Sequence, residues 1–263
     1  MATSPEVTCS KSTVYRHFAK GYYSAGKIDL PRAVKFKPRK ESRPDYVPKG
    51  VKIGRSYEDF LAFMDENRFS DHVEMDTVIG KIGGKIILTL HFTSCNFMIG
   101  LLLDNKTASE AARRFTEFKS HLRANGVSIS NLFRVVLTDN GGEFSDVFSF
   151  ENDPEGHREI NLFFCDPMCS SQKPFIEKNH SIFRDIVPKG SSFEGFTQET
   201  VNLIFSHVNS ISRNKFCGKT PYELFAFIYG DYLPELMGIR KIASKDVVQS
   251  PKLLKGIADL SEN

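Results

Sequence analysis

Three apolar runs of strand length follow one another in the first half of the chain. Residues 73–79 alternate as VEMDTVI, and Gly80, Gly83 and Gly84 turn them into a second run at 85–93, followed by a third at 97–103. Glycine turns between runs this close together favour antiparallel neighbours. Residues 107–125 then change period, with Ala108, Ala111, Ala112, Phe115, Phe118 and Leu122 at helical spacing and Gly126 as a stop, which predicts an amphipathic helix packed on a core. Residues 133–137 are apolar and β-branched and end abruptly at Asn140-Gly141-Gly142, the pattern of a buried strand. A further strand is expected at 160–165. In the run from Ser171 to Gly190, Phe175, Ile176, Ile182, Phe183 and Ile186 fall on one side of a helix, and Lys173, Glu177, His180 and Arg184 fall on the opposite side. Such a polar face, with a carboxylate flanked by cations, suits a polyanion; a solvated face with ion pairs is the plainer reading. Thr197 is placed to cap a helix that carries Val201, Leu203, Ile204, Val208 and Ile211, and Thr220-Pro221 starts another. Residues 57–66 predict a helix leading into the first strand.

The ends of the chain read differently. Residues 10–19 form a short amphipathic stretch that leaves Thr13, Arg16 and His17 outward if Val14 and Phe18 are inward. Residues 28–52 are rich in Lys, Arg and Pro and predict an extended linker rather than a packed element. From Lys245 onward there is no clear period, and a loose tail is expected. The total charge of +3 hides an asymmetry: residues 1–56 carry 13 Lys or Arg against 4 Asp or Glu, a net of +9, leaving −6 for the remainder. Basic segments of this kind supply phosphate binding, which positions a protein on nucleic acid without reading bases. A solubilising tether is the alternative.

At 263 residues and 40% hydrophobic content the chain is long enough for one large domain or two modest ones. It holds no apolar run of 18 residues and no basic-then-apolar leader, so the expectation is a cytoplasmic protein without a membrane anchor. The five cysteines, Cys9, Cys95, Cys165, Cys169 and Cys217, are scattered without CxxC spacing and predict reduced, structural thiols. Cys165, Cys169 and nearby His157 lack a fourth ligand for zinc.

The candidate chemistry is acidic. Asp139 sits at the end of a predicted strand and Glu177 on a predicted helix. Period two puts Glu74 and Asp76 on one face of the first strand, so either would supply a third carboxylate. Oxygen ligands of this kind suit magnesium or manganese, and two such ions about 3.5 to 4 Å apart serve phosphoryl transfer.

The succession of HVEMDTVIGK, LTDNGGEF and FFCDPMCSSQKPFIEKNHSIFRDIVPKG resembles the insertion-sequence-thirty family of bacterial transposases, which are DDE recombinases with a retroviral-integrase-like core. The resemblance runs from Ser12 to Ile242. It implies an α/β, ribonuclease-H-like fold, a mixed five-stranded sheet with flanking helices, preceded by the basic extended linker. It also chooses Asp76 over Glu74, so that Asp76, Asp139 and Glu177 are both the catalytic residues and the ligands of two Mg2+ or Mn2+ ions. Lys173, His180 and Arg184 become DNA contacts. Residues 10–19 resemble the last helix of the family's helix-turn-helix, with Arg16 facing DNA, and Arg32, Lys37, Arg39 and Lys40 would follow the backbone from the linker. Arg213 and Lys215 precede the TPYELF segment that the family also carries. The implied division is 1–56 for the DNA-binding remnant and linker, 57–245 for the catalytic domain and 246–263 for the tail.

The departures are few. The chain has no tryptophan, where the family carries one at the position of Val73, and His180 stands where many relatives have asparagine. The 37 residues between Asp139 and Glu177 slightly exceed the family habit, and the surplus is assigned to residues 151–159, where a loop lengthens at small entropic cost. The implied activity is metal-dependent cleavage and strand transfer at the ends of an insertion sequence. It would be carried out in the cytoplasm at the nucleoid by an oligomer, since two ends must be joined. Two other classes stay open: a truncated or decayed transposase that binds DNA without catalysis, and a nuclease of the same fold acting on RNA–DNA hybrids.

Overall fold

The computed structural model describes residues 9–24, 47–167 and 169–258, so Arg32, Lys37, Arg39, Lys40 and most of the linker segment lie outside the described residues. The chain divides into two compact units, 1–43 and 44–263. In the first, α1 (Lys11–Lys20) begins where Ser10 accepts the Thr13 amide and ends at Gly21, whose φ of +70° suits glycine. Arg16 is exposed on it, while His17 is half-buried and bonds the Tyr23 hydroxyl through Nδ1 at 3.1 Å.

The second unit runs α2 (Tyr57–Glu66), β1 (Val73–Ile79), β2 (Ile86–Phe92), β3 (Phe97–Leu103), α3 (Ala108–Ala124), α4 (Ile129–Leu132), β4 (Val135–Thr138), α5 (Val147–Glu151) and β5 (Asn161–Phe164). It continues with α6 (Pro174–Ile186), α7 (Gln198–Asn209), α8 (Pro221–Tyr229), α9 (Tyr232–Leu236) and α10 (Lys252–Ala258). The predicted caps are in place: Thr197 accepts the Thr200 amide, and Thr220 forms a capping box with Glu223. The five strands make one mixed sheet in the order β3-β2-β1-β4-β5. β1, β2 and β3 are antiparallel, whereas β4 and β5 run parallel to β1. This is the ribonuclease-H-like topology, and it brings the carboxyl end of β4 beside the middle of β1.

Register explains the layers. Glu74 pairs with His91 and Leu137, and Asp76 pairs with Thr89, which in turn pairs with Gly100. These residues share one face, which α2, α6 and α7 cover. Phe60 of α2 packs on Val135, Leu137, Phe163 and Cys165 as a separate small cluster. On the opposite face Phe92 meets Phe133 and Phe225, and Phe115 meets Phe133 and Phe150, at centroid distances of 4.9 to 5.7 Å. With 23 phenylalanines and no tryptophan, the core is filled by rings that need no polar partner.

Gly100 marks where α7 approaches most closely. A Cβ there would collide with the Phe205 ring and stand 2.8 Å from Ile87 Cγ2 and 2.9 Å from Val201 Cγ1. Gly100→Ala is expected to lower stability by about 1–3 kcal/mol through overpacking, read as a fall in Tm of the full chain. An unchanged Tm would mean that α7 shifts freely.

Three sequence expectations need correction. The segment expected to be an extended linker is packed at its end: Val47 is buried in the main cluster, and Lys49–Lys52 form a 3-10 turn. The tail is helical in part, because Leu253 and Leu254 of α10 find apolar partners in the core. Glu151, placed at the start of a lengthened loop, is buried and paired with Arg55 and Arg158 at 2.7 Å each. Only the residues beyond it form the loop, closed by a bridge between Asn152 and Arg158.

Candidate active site

Asp76 lies in the middle of β1 and Asp139 directly after β4, one position beyond the register pair of Met75 and Thr138. Parallel strands at this register set the two carboxylates next to each other. Asp76 Oδ1 accepts the Thr77 amide at 2.7 Å, and Asp139 Oδ1 accepts the Gly141 amide at 3.2 Å. Burial raises the Asp139 carboxyl above its ordinary value, Lys173 opposes the rise, and the neighbouring charge of Asp76 adds to it.

Glu74 takes a different part. Only 1% exposed, it accepts the Ile176 amide with Oε2 and so caps the start of α6 from the sheet. Its carboxylate is spent on holding the helix, which leaves Asp76 as the acid of β1 open to solvent.

Glu177 stands exposed in the first turn of α6. Its place relative to the aspartates follows from its neighbours on the same stripe. Four residues earlier, Lys173 Nζ donates to Met75 O at 3.0 Å and lies 3.4 Å from Asp76 Oδ2. Three residues later, His180 Nε2 is 2.9 Å from the Thr89 hydroxyl. Since Thr89 donates its one hydroxyl proton to Asp76 O, His180 must carry its own on Nε2. Both flanking residues reach the Asp76–Thr89 pair, so Glu177 leaves α6 from the turn that lies beside Asp76.

The polar stripe read from the sequence is therefore real, but its cations are committed to the protein. Lys173 is 4% exposed and is not a surface contact for a phosphate. Burial opposes its charge, yet Asp76 and Asp139 outweigh that and hold its pKa above the ordinary lysine value. Burial pushes His180 down to about 4, so it is neutral at pH 7. Arg184 donates to Ile79 O at 2.8 Å. The apolar side also differs from the expectation: Phe175 is partly exposed, while Asn179 is buried, because its amide donates to His91 Nε2 at 2.8 Å. Asn179 Oδ1 in turn accepts from Arg213, and Lys215 lies over the Phe175 ring.

Several participants escaped the sequence reading. Glu143 is buried and accepts from the Thr77 hydroxyl at 2.7 Å and from Lys106 at 3.2 Å, tying the strand beside Asp76 to the turn after Asp139. Asn140 bonds Lys52 and the Cys165 carbonyl through its side chain. Thr89 and His91 were visible as the two polar positions of an otherwise apolar run, two residues apart and hence on one face.

The donor set is oxygen alone. The Cys165 thiol near both aspartates is pushed up to about 12 by burial and so stays protonated, and His180 is held by Thr89. Carboxylates without thiolate or imidazole fit a hard divalent cation such as Mg2+ or Mn2+. Among the described residues, the set of three carboxylate or imidazole ligands whose ligand atoms all lie within 4.8 Å of one another is Asp153, Glu155 and His157, on the exposed loop. Asp76, Asp139 and Glu177 do not form such a set.

The fold and these side chains define a ribonuclease-H-like protein with an acidic cluster where the end of one strand meets the middle of its parallel neighbour. The chain is 28% identical over 204 residues to a protein named as integrase ORF3 of Spiroplasma virus SpV1-R8A2 B, covering 75% of this chain and 57% of that one. It is 25% identical over 212 residues to a protein named as a transposase for the insertion-like sequence element IS1161 of Streptococcus salivarius, covering 78% and 54%. The chain spans about half the length of each of these two relatives. The catalytic core domain of BIV integrase aligns with a TM-score of 0.42 and 18% identity, over 59% of this chain and 93% of that one. No family model matches the sequence. No helix among the described residues is long and apolar enough to cross a membrane.

Proposed function

We propose that this chain is the catalytic part of a DDE transposase that cuts DNA strands at the ends of an insertion sequence and joins them to a target. What carries the reading is the setting of Asp76 and Asp139 side by side on adjacent parallel strands, with the stripe of Glu177 facing them. Asp76, Asp139 and Glu177 would hold two Mg2+ or Mn2+ ions. When bound, such ions activate an attacking oxygen and stabilise the leaving one. The protein's own contribution is placement. Glu74 fixes the start of α6 on β1, Glu143 ties β1 to the turn after Asp139, and neutral His180 holds Thr89 without competing as a base. Together they keep the three carboxylates oriented before substrate arrives. Arg16 and the exposed Lys215 remain candidates for the DNA backbone, as do Arg32, Lys37, Arg39 and Lys40. A homo-oligomer acting at the nucleoid fits the need to join two ends.

The test is Mg2+- or Mn2+-dependent nicking and strand transfer on duplex DNA bearing the element's own end, with Asp139→Asn and Glu177→Gln beside the unaltered chain. Both variants should lose activity and retain DNA binding. Activity surviving both substitutions would remove the triad, and salt-sensitive binding without any cleavage would leave a DNA-binding protein.

A further inference from the structure

Lys173 enters the site from the residue before α6, with φ −125° and ψ 59°, and its side chain caps nothing in the helix. Glu74 takes over that task by accepting the Ile176 amide. The lysine is thus free of any duty in the helix, yet it is nearly fully buried, with its ammonium 3.0 Å from Met75 O and 3.4 Å from Asp76 Oδ2. The Asp139 charge also favours the charged form of the same ammonium. Without a cation, two carboxylates brought together on neighbouring strands repel in a poorly solvated pocket.

We infer that Lys173 is the resident counter-ion of this site: its ammonium neutralises Asp76 and Asp139 while no metal is bound, and it gives way when divalent cations enter. The inference rests on the reading of these acids as metal ligands. It gives one side chain two opposed effects. Lys173 stabilises the metal-free protein, and it weakens metal binding, because its ammonium would compete with a cation for the Asp76 carboxylate. A phosphate-contacting lysine would have neither effect in the absence of DNA, and a lysine of purely structural use would have only the first.

The experiment compares the full chain with Lys173→Met, which keeps the length and removes the charge. Thermal unfolding is followed in EDTA, and Mn2+ binding by calorimetry, both without DNA. The expected result is a lower Tm for Lys173→Met in EDTA, with most of that loss absent in an Asp76→Asn background, together with Mn2+ affinity raised about tenfold, a change of about 1.4 kcal/mol. Lys173→Gln, which retains a donor for Met75 O, replaces Lys173→Met should the latter not fold, with the same rise in Mn2+ affinity expected. Mn2+ affinity that stays equal or falls overturns the inference while leaving the acids as ligands. Failure of the unaltered chain to bind Mn2+ at all overturns the metal reading and the counter-ion with it. A change confined to DNA affinity assigns Lys173 to the phosphate backbone and overturns the inference as well.

Discussion

Asp139→Asn is expected to abolish cleavage and, at the same time, to make the protein more stable. The loss of activity should be at least about a thousandfold, since a metal-stabilised transition state draws several kcal/mol from its ligands. The gain in stability follows from charge. In the folded chain burial and Asp76 raise the Asp139 carboxyl above its unfolded value. A carboxyl raised in this way favours the folded state at low pH, where it carries its proton in both states. That advantage is lost as pH rises through the folded pKa, so at pH 7 the ionised Asp139 opposes folding. Removing it leaves one carboxylate opposite one ammonium, Asp76 with Lys173. The expected effect is on the order of 1 kcal/mol, about 2–4 °C in Tm for a chain of this size, and it should shrink as pH falls toward the aspartate range. A variant that is inactive and also less stable would show that the introduced amide disturbs the turn, not merely its charge.

Lys119→Met is expected to give the largest loss of stability. This α3 residue is 1% exposed, and its ammonium donates to Ser149 O at 3.0 Å, Phe150 O at 3.0 Å and Asn152 O at 2.7 Å. Three carbonyls around the end of α5 thus depend on one side chain. Burial lowers the ammonium to about 8, so it remains charged at pH 7. Each buried acceptor left unmet costs about 1–3 kcal/mol. The expected sum is at least about 3 kcal/mol, a fall in Tm of roughly 6–12 °C. Chemical denaturation gives the same quantity independently, and a loss below about 1 kcal/mol would mean that water replaces the ammonium.

Nothing in the sequence announced that lysine. It sits on a helix whose apolar stripe was legible in full, but its partners are backbone carbonyls about thirty positions away, which carry no residue signature. The elements that were legible share a cause, in that their signals are local. The alternation at β1, the apolar runs at β2 and β3, and the threonines before α7 and α8 specify themselves from neighbouring residues. The polar groups of α6 show the converse. Their helical spacing was right, yet whether Lys173 and His180 face water or the sheet depends on Asp76, Thr89 and Met75, far away in the chain. That Glu74 turns to the Ile176 amide is likewise set by a partner far away in the chain.

Where residues 47–55 join the core, the Val47 amide donates to Asn140 O at 3.2 Å, Lys52 reaches the Asn140 side chain, and Arg55 pairs with Glu151. The residue after Asp139 is thus braced by chain that the sequence would assign to a tether. A fragment trimmed to begin at Tyr57, the first residue of regular helix, would cut these braces and free the turn that bears Asp139. The boundary for a minimal fragment accordingly belongs before Val47, and expression trials that follow the secondary structure would discard the braces of the turn that bears Asp139.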